Sequence, residues 1–179
     1  AAGGDPDALL VLAADTGCEG ALDGIETVGI TAQVYLVGSC ASPTILDRVG
    51  PEKTEGTIFN VEGPIDPDDP DRRLYFAVAE AHGDGFDPVG AGTVSFRAFM
   101  NLYVVLADLG PDATAADVLA AFRGAREVPS FLGHPYTCDG EQLPDQPAMC
   151  SPHQILAQRE DGQLVQITDW IDVGAVAAR

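Results

Sequence analysis

Two histidines and two cysteines in one segment have the residue types and spacing of a metal site. His134 lies four positions before Cys138, and Cys150 lies three positions before His153. Imidazole and thiolate are the ligands from which proteins build tetrahedral zinc sites. The same residues fit a second interpretation, a Cys138–Cys150 disulfide that closes a short loop rich in Pro and Gly, with two surface histidines beside it. Both interpretations stay open at this point.

A second pair, Cys18 and Cys40, lies in a stretch that predicts a strand, a helix and a strand. Ala8–Ala14 is a continuous apolar run, which is typical of a strand with both sheet faces covered. Residues 18–28 have the apolar spacing of a helix, and Gly29 is expected to end it in a left-handed conformation. Residues 33–37 form the second apolar strand.

This unit places two loops together at one edge of a parallel sheet. Thr16 follows the first strand, and Ser39 and Cys40 follow the second. Open α/β sheets bind ligands at the carboxyl edge of their strands. The same geometry favours a Cys18–Cys40 disulfide, which would give Cys40 a structural role. Asp15 and Thr16 could bind a ligand or cap the helix that follows, and these roles are compatible.

Downstream patterns predict further helices, a connector and a hairpin. The stretch 62–71 is rich in acidic residues and proline, and we expect it to be a solvated connector. Its aspartates could suggest a calcium site, but the prolines interrupt the spacing that a calcium-binding loop needs. The long apolar helix over 92–109 is expected to be central and well buried. Thr114 and Asp117 predict a helix with a capping box. Asp161-Gly162 between two β-prone runs predicts a hairpin over 155–167.

The composition of the chain argues against some classes of binding partner. The chain has 179 residues, 46% of them apolar, and a net charge of −19. Such acidity argues against nucleic acid and anionic membranes as partners. No uninterrupted apolar run is long enough to cross a bilayer. An even cysteine count is compatible with disulfides in an oxidising compartment. No G-x-S-x-G, Walker or G-x-G-x-x-G motif is present, so none of these signatures points to an active site, and we expect no cofactor.

The order of these pieces resembles one protein family over nearly all of the chain. The pieces are PDALLVLA, VGITAQVYLVGSC, GPEKTEGTIF, FRAFMNLYVVLADLG, TAADVLAAF and QILAQREDGQLVQI. In this order they are similar to the second half of the extracytoplasmic solute-binding proteins of the branched-chain amino acid type, which are periplasmic binding proteins of class I. Each piece alone is generic, and the resemblance rests on their order and spacing.

The resemblance implies an architecture and a lobe assignment. The expected fold class is α/β, with Rossmann-like three-layer parallel-sheet lobes and a C-terminal β-hairpin. Residues 1–61 with 151–179 would belong to the second lobe. Residues 62–150 would contribute helices returning to the first lobe, with hinge connectors. The family's N-terminal half, with much of its ligand site, would have no counterpart in this chain.

The resemblance also implies where a ligand would be bound. One loop would contribute Ala14, Asp15 and Thr16, and the next Gly38 and Ser39. The start of the long helix would contribute Thr93 and Phe96. Amino-acid-binding members carry a carboxylate in the second loop to hold the ligand's ammonium group. The corresponding GSCAS segment has none, which leaves a small amide-type or other polar ligand equally open.

The family implies a non-catalytic role. The expected function is extracytoplasmic binding of a small solute for delivery to the permease of an ABC importer, in the periplasm, secreted or lipid-anchored. Alternatives are a sensory receptor ectodomain of the same fold or a zinc-dependent enzyme built on the His/Cys group. The family's compartment favours two disulfides, Cys18–Cys40 and Cys138–Cys150, over zinc. The chain alone could form a homodimer that covers exposed apolar surface.

Overall fold

A computed structural model of the chain describes residues 6–14, 16–61, 63–85, 88, 92–143 and 145–177. The strands are β1 (Ala8–Val11), β2 (Gln33–Val37), β3 (Ile58–Val61), β4 (Val128–Ser130), β5 (Gly133–Tyr136), β6 (His153–Glu160), β7 (Gln163–Gln166) and β8 (Ile171–Asp172). The helices are α1 (Thr16–Val28), α2 (Pro43–Val49), α3 (Pro51–Thr54), α4 (Pro70–His82), α5 (Gly92–Leu109), α6 (Ala115–Gly124) and α7 (Val173–Ala177), with a 3-10 turn at Gly38–Ala41.

The chain divides into two compact units. The first comprises the described residues of Ala1–Val61 and Ile155–Asp169. The second comprises those of Glu62–Pro88, Gly92–Gln154 and Trp170–Arg179. The expected assignment of these residues to two lobes stays a prediction.

A mixed sheet forms the centre of the first unit. Its strand order is β1-β2-β3-β6-β7. β1 and β2 pair in parallel, as do β2 and β3, and β6 then pairs antiparallel with β3. The buried side chains of this unit include Phe59, Leu22, Leu36, Leu46 and Ile155, each no more than 1% exposed. The predicted α/β class is confirmed, with antiparallel strands added to a parallel core.

The C-terminal hairpin is confirmed at its predicted turn. β6 and β7 pair antiparallel, and Glu160 lies opposite Gln163. Asp161 and Gly162 between them both have positive φ, at 50° and 74°. A two-residue turn with positive φ at both positions follows the twist of its strands, which is why Asp-Gly suits it. The Glu55 carboxylate also accepts a hydrogen bond of 2.9 Å from the Asp161 N–H.

The first strand differs from its prediction. β1 ends at Val11, and Leu10 and Leu12 are 66% and 76% exposed. The expectation that both faces of Ala8–Ala14 are covered is therefore wrong. β1 pairs only with β2 among the described strands, so it lies at an edge of the sheet. An apolar run shows what a strand could bury, whereas burial itself needs a covering surface.

Capped helices and a β-ribbon build the second unit. The Asp69 carboxylate caps α4 by accepting from the Arg72 N–H at 2.9 Å. In α6 the predicted capping box is confirmed, because Thr114 and Asp117 each accept from the other's backbone N–H. β4 and β5 pair antiparallel. The carboxylates of Asp66 and Asp69 thus accept backbone hydrogen bonds within the connector or at its end.

The long helix α5 has its predicted length but not its predicted burial. It runs from Gly92 to Leu109, and none of its residues is buried. Phe99, Tyr103 and Val104 are 62%, 55% and 50% exposed. The expectation of a central, well-buried helix is wrong, because the described residues leave much of its apolar surface uncovered. No helix in the described ranges combines the length and hydropathy needed to span a membrane.

Candidate functional site

The carboxyl edge of the first unit's parallel strands brings three chain segments together. β1, β2 and β3 run in parallel, so the residues after Val11 and Val37 emerge on the side where Asn60 and Val61 end β3. The first two segments are the predicted ligand loops. The sequence therefore located their meeting point correctly, because carboxyl ends of adjacent parallel strands always share an edge.

Two contacts hold the first loop against the second. The Ser39 hydroxyl donates a hydrogen bond of 3.1 Å to the carbonyl oxygen of Ala13. Cys18, in the first turns of α1, forms a disulfide with Cys40, and their Cα atoms are 5.4 Å apart. Both cysteines are fully buried. Closing a loop of this length with a disulfide stabilises a protein by about 3 kcal/mol in the chain-entropy view.

The third segment reaches the second loop through Asn60. The Gly38 N–H donates to Oδ1 of Asn60 at 3.1 Å. A Cβ atom at Gly38 would lie 2.5 Å from the backbone oxygen of Asn60, so the close approach of β3 requires glycine there. Sequence reasoning did not include Asn60 among the site residues. Its signal is a polar side chain within the apolar strand IFNV.

The predicted contact residues differ in exposure. Ala14 and Thr16 are exposed, and Gly38 and Ser39 are partly exposed. Asp15 lies outside the described residues. Ser39 and Asn60 contribute a hydroxyl and an amide, and both groups are uncharged. The described part of this edge is therefore suited to hydrogen bonding with an uncharged polar group.

Thr93 and Phe96 belong to the second unit, in the first turns of α5. The Phe96 ring packs against Tyr75, with centroids 5.0 Å apart, and against Phe131 at 5.3 Å. Such aromatic contacts fix the direction of the ring. Both residues are partly exposed. Their role in binding a ligand stays a prediction.

The proposed zinc ligands are arranged differently from a metal site. Cys138 and Cys150 form a disulfide with Cα atoms 4.4 Å apart, so neither is available as a thiolate. His134 and His153 stack face to face, with ring centroids 3.6 Å apart. The described residues contain no group of three or more His, Cys, Asp or Glu side chains placed to hold a metal ion. The disulfide interpretation is confirmed, and the four-ligand zinc interpretation is wrong.

Solved structures of solute-binding proteins are similar to this chain. A substrate-binding periplasmic protein from Ralstonia solanacearum has a TM-score of 0.72 at 20% identity, over 90% of this chain and 46% of its own. The leucine-binding protein LivK of Thermotoga maritima has a TM-score of 0.64 at 14% identity, over 93% and 45%. A solute-binding protein of an ABC transporter from R. palustris, solved with benzoate, has a TM-score of 0.64 at 15% identity, over 90% and 42%.

These similarities concern the fold. No protein-family model matches the sequence, and no curated protein matches it. The chain spans less than half the length of the three structures. Over that span the fold is similar to that of the solute-binding proteins, as the sequence resemblance predicted. The chain therefore has the fold of one part of a class I periplasmic binding protein.

Proposed function

We propose that this protein binds a small solute outside the cytoplasm and delivers it to the permease of an ABC importer, without chemical conversion. The observation that carries the proposal is the joined carboxyl edge of the first unit. There the Ser39–Ala13 hydrogen bond, the Cys18–Cys40 disulfide and the Gly38–Asn60 hydrogen bond hold three segments in one arrangement. Similarity to structures of solute-binding proteins supports this use of the edge.

The ligand residues proposed on this edge are Ala14, Asp15, Thr16, Gly38 and Ser39. Thr93 and Phe96 of α5 complete the proposed set. The segment Gly38–Ser42 carries no acidic side chain that could pair with an ammonium group. We propose an amino-acid-like or amide-type solute whose polar groups bond to hydroxyl and backbone groups, and the missing acidic side chain favours the amide type.

The proposed mechanism is capture followed by closure. Crosslinked loops lose little conformational freedom on binding, so less of the interaction energy is spent on ordering them. Closure of the lobes of the complete protein about its hinges would then trap the solute and present the surface that the permease recognises. Proximity and hydrogen bonding suffice for this role, and no nucleophile or general base takes part.

The two disulfides support an extracytoplasmic location. Disulfides form and persist in secreted and periplasmic proteins, whereas the cytosol keeps most thiols reduced. Cys18–Cys40 and Cys138–Cys150 account for all four cysteines. The proposed location is the periplasm or the cell surface, where a solute-binding protein meets its permease.

A matched pair of serine variants tests the proposed site. The Ser39→Ala variant removes a hydroxyl of the edge, and the Ser42→Ala variant removes a nearby hydroxyl that makes no capping hydrogen bond. A panel of amino acids, amides and small carboxylates is screened by thermal shift and calorimetry, using the chain and the product of its whole gene. We expect Ser39→Ala to weaken solute binding about tenfold and Ser42→Ala to change it less than twofold.

Two outcomes would contradict the proposal. If Ser39→Ala and Ser42→Ala change the affinity for a solute equally, Ser39 is not part of the site. Conversion of a bound solute into product, followed by mass spectrometry, would replace a binding function with a catalytic one.

A further inference from the structure

The second unit contains a cavity that the proposed solute site does not use. Its volume is about 360 Å³, within the range of small-molecule sites. It lies among α5, α6, the β4–β5 ribbon, the start of β6 and the second disulfide. The side chains that matter most are Arg97, Phe122, His134, Tyr136, His153 and Trp170.

Flat rings form much of the cavity wall. His134 and His153 are stacked with an angle of 9° between their planes. Trp170 meets His134 edge-on, with centroids 5.6 Å apart and an angle of 73°. The ring centroids of Tyr136 and Phe122 lie 6.1 Å apart. Walls of this kind accept a planar, apolar group by stacking and edge contacts.

The charge of the wall is opposite to that of the chain. The protein has 28 acidic residues and only 9 Lys and Arg. Among the described residues, the wall contains Arg97 and two histidines and no Asp or Glu. A guanidinium stays charged at all physiological pH values and pairs well with carboxylates. Nη1 of Arg97 donates to the Leu132 carbonyl at 3.4 Å, which holds the guanidinium at the wall.

The wall is held in place by polar contacts and the disulfide. Asn101 Nδ2 donates to the Ser130 hydroxyl at 2.9 Å, and Asn101 Oδ1 accepts from the Phe131 N–H at 2.8 Å. The Thr137 N–H donates to the Cys150 carbonyl at 2.9 Å, next to the Cys138–Cys150 bond. Ordering costs on binding are low for a site whose wall is already in place.

We propose that this cavity binds a small planar anion, with an aromatic carboxylate as the ligand class. The rings of His134 and Trp170 would contact the aromatic part, and Arg97 would pair with the carboxylate. No residue of the cavity wall belongs to the proposed solute site.

Binding of an anion in this cavity should depend on pH because a partly buried imidazole, that of His153, lies in its wall. Burial and the neighbouring His134 lower the pKa of His153, and the carboxylates of Asp172 and Glu127 oppose this shift. Nδ1 of His153 is buried without a hydrogen-bond partner among the described residues. Nδ1 of His134 lies 2.9 Å from the Pro135 carbonyl, which can only accept, so this nitrogen carries a proton. A carboxylate in the cavity would favour protonation of His153, so we expect binding to tighten as pH falls.

Histidine NMR offers a local test, because the chain has three histidines. The probes are 1-naphthoate, the uncharged 1-naphthalenemethanol and the non-aromatic acetate. We expect 1-naphthoate to shift the ring protons of His134 and His153 and to leave those of the exposed His82 unchanged. The affinity for 1-naphthoate should exceed the affinities for the alcohol and for acetate at least tenfold. The affinity for 1-naphthoate should also rise as the pH is lowered from 8 to 5.5.

Variants of Arg97 complete the test. We expect Arg97→Gln to weaken 1-naphthoate binding at least tenfold and Arg97→Lys to retain part of the affinity. The matched control is Arg73→Gln, which removes an exposed charge from α4. Circular dichroism checks that each variant is folded. The proposal is overturned if 1-naphthoate leaves His134 and His153 unshifted at millimolar concentration, if the alcohol binds equally well, or if folded Arg97 variants bind like Arg73→Gln. Each of these failures leaves the Ser39 test of the solute site unaffected.

Discussion

Replacing Gly38 by alanine should destabilise the first unit more than any change to an open glycine. The added Cβ would lie 2.5 Å from the backbone oxygen of Asn60. Ordinary contacts begin at 3.4 Å, so the approach is about 0.9 Å too close. The clashing atom belongs to the backbone of β3 and cannot rotate away. Overpacking of this kind costs about 1–3 kcal/mol, and the backbone partner favours the upper half of that range.

The assay is urea unfolding followed by far-UV circular dichroism. A loss of about 2–3 kcal/mol corresponds to a fall in Tm of roughly 4–12 °C for a chain of this size. The matched control is Gly24→Ala, because Gly24 lies in α1 and a Cβ there meets no atom within 4 Å. We expect that control to stabilise the protein by about 0.5–1 kcal/mol, since alanine is the better helix former.

One result would refute this reasoning. The result is a free energy of unfolding for Gly38→Ala that lies within 0.5 kcal/mol of the parent protein's, which is about the effect of a harmless surface change. In that case β3 does not lie against the second loop. The Gly38–Asn60 hydrogen bond, and with it the third segment of the proposed site, would then be incorrect.

Two further predictions concern the second unit. We expect the chain of residues 1–179 to self-associate through the exposed apolar side of α5, so light scattering should show a dimer. Replacing both Phe99 and Tyr103 by serine should disrupt the dimer, whereas the control Val28→Ser, at a position that is 70% exposed, should not. A monomer at all concentrations would contradict this prediction. We also expect stability to fall as pH drops below about 6.5, because the lowered pKa of His153 means that the folded state binds fewer protons than the unfolded state. The free energy of unfolding is measured by urea titration between pH 7.5 and 5.5. It should depend less on pH in the His153→Gln variant than in the control His82→Gln. The same pH dependence in both variants would count against a lowered pKa of His153.

Local elements were predictable because short-range rules determine them. β2 has its predicted bounds, and Gly29 has the expected positive φ at the end of α1. The Asp161-Gly162 turn and the Thr114–Asp117 capping box also form as predicted. In each case the deciding hydrogen bonds or dihedral angles involve residues within a few positions of each other.

The candidate site was predictable only in part. The meeting of the loops after β1 and β2 follows from parallel pairing alone, and the Cys18–Cys40 bond follows from that meeting. Asn60 was missed because its contact with Gly38 spans 22 positions and depends on how closely β3 approaches. The cavity around Arg97 was missed for the same reason, since its wall comes from segments between 97 and 170.

The sequence by itself therefore determined the α/β class, the hairpin, the C-terminal ends of α1 and α5, and the edge where two loops meet. Tertiary structure decided whether Cys138 and Cys150 bind each other or a metal, because spacing suits both and only the distance between the sulfurs distinguishes them. It also decided that Leu10 and the apolar side of α5 are exposed. Apolar patterning measures what an element could bury, and burial depends on surfaces supplied by residues far away along the chain.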